Sequence, residues 1–342
     1  MKKTILFVLF VWIGLQVNCQ QKKIKSILVA FYNIENFFDT INDPTKDDEE
    51  FLPDGKNHWN STRYYQKLNH ISLVISDIGK DNNLKCPLAM GLCEIENRQV
   101  LEDIIHSEAL KNCNYDIVHY DSRYKRGVDV GFIYQKDRFI VTHSVPYPLI
   151  MPDMPDFTTR DQLLISGILD GEPFHFIINH WPSRSGGEKR SAPLREAAAK
   201  LCRHIVDSII KTDSMAKIII MGDLNDDPTN KSVKEILGGK PTKELTKTGD
   251  LYNPMYELFK IKGIGSLAYN DQWNLFDQFI ISYPLIAGNS KGYKFVKAGI
   301  FNKSYLTQKE GQFADYPFRT YVGNSYMGGY SDHFPSYIIL SK

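Results

Sequence analysis

Acidic, amide and imidazole side chains recur in this chain at the ends of short apolar runs. Asn33, Glu35 and Asn36 follow ILVAFY, and Glu94 closes LAMGLC. His180 follows FIIN. Asp223, Asn225, Asp226 and Asp227 follow IIIMG. Asp277 opens DQFII, and Asp332 and His333 precede FPSYIIL. Each has an ordinary explanation when taken alone: Asn and Asp cap turns, a lone His packs, and Asp277 could pair with any nearby Arg. Taken together, the repeated placement at strand-to-loop junctions is better explained by one convergent site.

The chemistry that this set of groups suits is phosphoester hydrolysis. Carboxylate and amide oxygens are ligands for hard cations, magnesium or manganese, with calcium also compatible; zinc would call for more His or Cys. A bound cation would offset phosphate charge. Imidazoles could donate to phosphate oxygens, and a carboxylate could orient or deprotonate a water. No Ser or Cys stands in a nucleophile setting, and Glu94 beside Cys93 would raise that thiol's pKa. Attack by water is therefore expected rather than a covalent intermediate.

The elements that must position these groups are short strands at 25–32, 87–93, 115–120, 128–134, 139–142, 163–168, 173–179, 216–222, 276–282 and 335–340, rich in Val, Ile, Phe and Tyr. Residues 62–78 place Leu68, Ile71, Val74, Ile75 and Ile78 on one helical face. Helices are also expected over 99–110 and over 192–211, with Pro193 in the first turn of the latter. Consecutive strands without an intervening helix predict mixed or antiparallel sheets with helices outside them.

The opening MKKTILFVLFVWIGLQVNC has a basic start and an apolar stretch of signal-peptide length, too short for a comfortable membrane span. Removal of residues 1–19 is expected, leaving an exported, periplasmic or secreted chain; lipidation of Cys19 is the weaker alternative. Losing Lys2 and Lys3 takes the formal charge from +1 to −1. A balance that near to neutral argues against a broad basic surface wrapping long nucleic acid, though not against a local phosphate site. Cys86, Cys93, Cys113 and Cys202 fit no zinc motif and allow a disulfide whose partners are open. One domain is expected from residue 24 to the end.

The segments NIEN, GLCEIEN, NHWPS, GDLND, FDQFI and SDHFP, all in family order from about Ile27 onward, resemble the endonuclease/exonuclease/phosphatase superfamily with its DNase I-like fold. The resemblance implies a four-layer α/β sandwich, two packed mixed β-sheets flanked by helices. It implies Asn33 and Glu94 as metal ligands, Glu35 as an accessory ligand and Asp332 on the metal side. It implies His180 and His333 on the phosphate, Asp277 orienting His333, Asp223 on the attacking water and Asn225 as its partner. Arg160, Ser183 and Arg184 are candidate substrate contacts. Asp129 is a candidate support for His180, with a plain structural ion pair as the equal alternative. The basic segments 183–195 and 123–127 could grip phosphate or be solvated loops. Asp47–Glu50 is expected as a solvated acidic loop. The expected activity is a metal-dependent phosphodiesterase, endonuclease-like on nucleic acid. Its rivals are a phosphatase or phosphodiesterase for small or lipid phosphates and a non-catalytic binding protein.

Overall fold

The computed structural model describes residues 25–342; the expected signal peptide and Cys19 lie outside the described residues. The strands are β1 (Ser26–Phe37), β2 (Ala89–Ile95), β3 (Tyr115–His119), β4 (Asp129–Gln135), β5 (Phe139–Tyr147), β6 (Gln162–Leu169), β7 (Glu172–His180) and β8 (Ile218–Asp223). They continue with β9 (Gly239–Lys240), β10 (Leu251–Tyr252), β11 (Leu267–Tyr269), β12 (Gln272–Asn274), β13 (Asp277–Ser282), β14 (Lys294–Ile300), β15 (Tyr321–Val322), β16 (Ser325–Tyr326) and β17 (Ser336–Ser341). The helices are α1 (Ser61–Asp77), α2 (Arg98–His106), α3 (Glu188–Thr212) and α4 (Met255–Lys260).

Two mixed sheets form, in the orders β14-β17-β1-β2-β4-β3 and β5-β6-β7-β8-β13-β10-β9. Three apolar clusters define the layers. One holds Val29, Phe31, Phe132, Phe176 and Met221 between the sheets. A second packs α1 and α2 on the first sheet through Ile71, Val74, Leu101 and Ile104. The third packs α3 on the second sheet through Ala199, Cys202 and Val206. The result is the four-layer sandwich. At Gly91 an added Cβ would lie 2.9 Å from Met221 Sδ and 3.1 Å from Ile178, so the missing side chain lets the sheets close.

Each sheet contains a central parallel pair with an antiparallel neighbour. β1 runs parallel to β2 and antiparallel to β17. β7 runs parallel to β8, which runs antiparallel to β13. The C-terminal ends of β1, β2, β7 and β8 therefore meet the N-terminal ends of β13 and β17 at one edge of the sandwich, where the polar residues of the sequence collect.

Three local expectations change. Helix α3 starts at Glu188, one turn early, so Pro193 sits inside it; the carbonyl that loses a donor belongs to exposed Lys189, where water can replace the bond. Strand β14 escapes the apolar pattern because it is an edge strand with Lys294 and Lys297 on it, pairing on one side only. Asp48 is not solvated: it is 1% exposed and accepts the Asp43 N–H at 2.8 Å.

The open cysteine question resolves to a Cys86–Cys113 disulfide, with Cys93 and Cys202 free and buried. It ties the segment before β2 to the segment before β3, across a separation of 27 residues. Replacing both cysteines by serine is expected to lower unfolding stability by about 3 kcal/mol, read as a lower urea midpoint. An unchanged midpoint would remove the bridge from the stabilising set.

Candidate active site

The strand ends are bent so that their polar side chains face one another. β1 breaks register between Asn33 and Phe37, and β2 breaks between Cys93 and Ile95. Such bulges re-aim single side chains. Glu35, Asn36, Glu94 and Asn225 all hold left-handed backbones, with φ of 51°, 49°, 63° and 50°. For residues other than Gly this is uncommon and gathers at functional sites.

Asp223 lies at the centre, 2% exposed. Its Oδ1 accepts the Asn225 N–H at 2.9 Å. Its Oδ2 accepts Asn33 Nδ2 at 3.0 Å and lies 3.6 Å from His180 Nε2 and 4.0 Å from His333 Nε2. Asn225 Nδ2 donates to the Trp181 carbonyl at 3.0 Å, which holds that amide in place. Asp277 pairs with Asp223 in the β8–β13 register and is fully buried. Its Oδ2 accepts His333 Nδ1–H at 2.7 Å and the Ser266 hydroxyl at 2.5 Å. The Ser331 hydroxyl accepts the His333 N–H at 3.1 Å, fixing the turn before β17.

The two histidines sit in opposite electrostatic settings. Burial works against a charged His333, but Asp277, Asp332 and Asp223 overcome it and carry its pKa well above the usual value. His180 is pushed well below, by burial first and then by Arg160, His333 and Arg126. The Arg160 guanidinium donates to His180 Nε2, which must accept and is therefore neutral. Burial raises Asp223 above its ordinary range, with His333 pulling the other way.

A basic, aromatic wall stands beside His180. Arg160 is 7% exposed and lies 4.8 Å from the Tyr124 ring centre, within cation–π range. Arg126 donates to Asn36 Oδ1 at 2.6 Å. Across the site, Trp273 stacks on Phe334, the residue after His333, at 6.1 Å, and Tyr269 on the same β11–β12 hairpin is 70% exposed. Tyr252, on β10, packs into the core between the sheets instead.

The donor set for a cation can be tested on geometry. Asn33 Nδ2 is 3.3 Å from Glu94 Oε1, and Glu94 is half-buried, so an ion could reach it. The Asp332 side chain is 34% exposed, with Oδ1 4.0 Å from His333 Nε2. Glu94 and Asp332 thus offer carboxylate oxygens suited to a hard cation, while Asn33 turns its amide nitrogen toward Glu94 and its Oδ1 accepts the Glu35 N–H at 3.0 Å. Glu35 does not fit: its carboxylate accepts the N–H groups of Thr320 at 2.6 Å and Tyr321 at 3.3 Å. Burial, then Asp332, raises its pKa, and Lys67 is its counter-charge. Lys67 is 1% exposed and bonds Thr320 Oγ1 at 2.5 Å. Sequence reasoning missed it, although a lysine in the stripe with Leu68, Ile71 and Val74 was a readable signal. It missed Arg126 as an individual contact too, because nothing in RYKRG separates one cation from another.

Several other candidates are employed elsewhere. Asp226 pairs with fully buried Arg195 at 2.7 Å, and Asp227 accepts the Leu275 N–H at 2.8 Å. Arg184 bonds Asn225 O at 2.9 Å and reaches Asp226 and Asp227 at 3.3 Å, so its guanidinium is a brace for the β8 turn rather than a free substrate contact. Ser183 is exposed, and its carbonyl accepts from Arg195 at 3.4 Å. Asp129 does not support His180: its Oδ2 accepts the Ser122 N–H at 3.1 Å, and among the described residues it has no hydrogen bond or ion pair with a cation.

With this geometry in place, the chain can be compared with known proteins. The model of the endonuclease/exonuclease/phosphatase family matches residues 28–342, and the chain belongs to that family. Membership of this family supports a phosphoester hydrolase. No curated protein matches the chain. Among solved structures, an endonuclease/exonuclease/phosphatase family protein from Bacteroides thetaiotaomicron is similar, with 18% identity, 93% of this chain and 96% of that chain covered, and a TM-score of 0.55. A mannosyl-6-phosphatase from the same organism gives 17% identity, 92% and 99% coverage, and 0.55. TDP2 from D. rerio, complexed with a single-strand DNA product, gives 13% identity, 93% and 99% coverage, and 0.54. At these identities the likeness establishes the fold.

The Asp277–His333 pair can be checked directly. A raised folded pKa means that the imidazolium's contribution to stability is complete below about 6.5 and is lost as pH climbs through the raised value. Asp277→Asn is expected to move the His333 midpoint to lower pH in an NMR titration. A midpoint that stays put would show that Asp277 is not what holds the charge.

Proposed function

We propose that the protein is a divalent-metal-dependent phosphoester hydrolase that uses water as its nucleophile. The observation that carries this reading is the convergence of Asn33, Glu94, His180, Asp223, Asn225, Asp277 and His333 at one sheet edge, with Asp223 Oδ2 bonded to Asn33 and within 4.0 Å of both imidazoles. Magnesium or manganese bound by Glu94, with Asn33 and Asp332 beside it, would offset phosphate charge and stabilise the leaving oxygen. Asp223 holds and deprotonates the attacking water, helped by the raised affinity for protons that burial gives it. His333 presents Nε2–H to a phosphate oxygen while Asp277 holds Nδ1–H. Asn225, anchored at Trp181, places its free amide oxygen or hydrogen beside the same group.

Within this chemistry the wall beside His180 favours a terminal phosphate. Two guanidinium groups, Arg160 and Arg126, bear on one side of the site. A phosphomonoester carries more charge for them to bind than an internal diester does. The endonuclease-like reading stays as the second one. Its support is the exposed Tyr269 and the part-exposed Trp273, which could stack on bases, and the D. rerio TDP2 bound to single-strand DNA product. We also infer export, from the leader-like opening of the sequence and from the Cys86–Cys113 bridge, a bond that persists in oxidising compartments.

The mature protein, assayed with magnesium or with EDTA on a sugar phosphate, a 5′-phosphorylated oligonucleotide, plasmid DNA, sphingomyelin and a generic diester, separates these readings. Magnesium-dependent release of terminal phosphate is expected to dominate. Faster plasmid nicking would move the assignment to the endonuclease, and no metal-dependent turnover on any substrate would leave a binding protein.

Asp223→Ala and His333→Ala are each expected to lower kcat by about 10²-fold or more without unfolding the protein. A folded Asp223→Ala enzyme of near-normal rate would refute the placement of the water. Glu94→Ala is expected to shift the magnesium titration to higher concentration; an unshifted curve would take Glu94 out of the ion's coordination.

A further inference from the structure

A second group of metal-ligating side chains converges at the root of the β3–β4 loop, sharing no residue with the active site. His119 ends β3, Asp121 follows two residues later, and Asp129 opens β4. One ligand atom from each lies within 4.8 Å of the other two. The His119 side chain is 3% exposed and Asp129 is 2% exposed. Yet among the described residues His119 Nε2 and Asp129 Oδ1 have no hydrogen-bond partner. A buried carboxylate oxygen and a buried ring nitrogen left bare in the same small cluster are costly in a folded protein unless a ligand completes them.

The cations near the cluster are committed elsewhere. Lys46 Nζ donates to the carbonyls of Ser122 at 2.7 Å and Tyr124 at 3.2 Å. Arg98 bonds Glu102 at 3.0 Å. Asp121 Oδ1 lies 3.8 Å from His119 Nδ1, and its side chain is 75% exposed, so it can turn inward. Asp121 also lines a cavity of about 540 Å³ whose other walls include Asp39, Asp43 and Glu96, an acidic approach for a cation from solvent.

We propose that His119, Asp121 and Asp129 bind a divalent transition-metal ion, zinc or manganese. One imidazole nitrogen and two carboxylates form a mixed N/O set, which these ions accept and magnesium does not favour. The ligand atoms lie within 4.8 Å of one another, wider than the roughly 3.4 Å edge of a tetrahedron built on zinc bonds of about 2.1 Å, and the exposed Asp121 supplies the adjustment. The ion clamps both ends of the loop 122–128. That loop carries Tyr124, packed against Arg160, and Arg126, bonded to Asn36. The site's role is thus to stiffen the cationic wall of the active site from outside it.

The test is equilibrium dialysis of chelator-stripped mature protein against Zn²⁺ alone, with Mn²⁺ as the second probe, in the wild type and in Glu94→Ala, which weakens the catalytic ion's set. The site is expected to persist in Glu94→Ala. In that background, His119→Gln and Asp121→Asn are each expected to weaken it by about tenfold or more. Asp121 is exposed, so Asp121→Asn leaves the fold intact, which circular dichroism checks. Zn²⁺ binding that vanishes in Glu94→Ala, or that is unchanged by Asp121→Asn, would overturn the proposal.

Discussion

Two carboxylates, Asp223 and Asp277, face each other across the β8–β13 pair in the interior of the protein. Burial and the like charge of Asp277 both push Asp223 towards the neutral acid. His333 resolves the conflict. Its ring lies between them, bonded to Asp277 at 2.7 Å and with its other nitrogen 4.0 Å from Asp223. The arrangement requires β17 in one sheet to register against β13 in the other, since His333 precedes the first and Asp277 opens the second. The sheet packing at the active edge is therefore set by an ionic contact as well as by the apolar core beneath it.

The convergence follows from topology. A strand's C-terminal end and its antiparallel neighbour's N-terminal end share an edge. In each sheet a central parallel pair and its antiparallel neighbour meet at that edge, so six strand ends from distant parts of the sequence come within reach of one another. Regular strands would still point alternate side chains to opposite faces. The bulges in β1 and β2 and the left-handed residues Glu94 and Asn225 break that alternation where the site needs it.

The fold was legible in the sequence because its core strands are short, apolar and β-branched, and because the strand-to-loop junctions carry the polar residues. Asn33, Glu94, His180, Asp223, Asn225, Asp277 and His333 could all be picked out that way. What could not be read was which charged neighbours cancel one another. Asp226 and Asp227 follow Asp223 within one chain turn, yet that turn gives them to Arg195 and Arg184. Glu35 lies two residues from Asn33, but its left-handed backbone swings it to the Thr320 and Tyr321 amides. Such outcomes depend on loops such as 318–331, whose path no periodicity encodes.

The two histidines show why residue type alone does not settle a chemical role. His180 and His333 both flank Asp223 and are almost fully buried. Behind His333 stands a carboxylate, so the ring keeps a proton on each nitrogen and offers a charged donor. Against His180 stands a guanidinium, so the ring gives its lone pair to Arg160 and stays neutral. The positive charge beside His180 is thus carried by arginine, which cannot lose it at any pH the protein meets. On the His333 side the charge depends on Asp277. One flank of Asp223 is a permanent cation seen through an imidazole, the other a cation maintained by its neighbours, so pH acts on the site through the second flank.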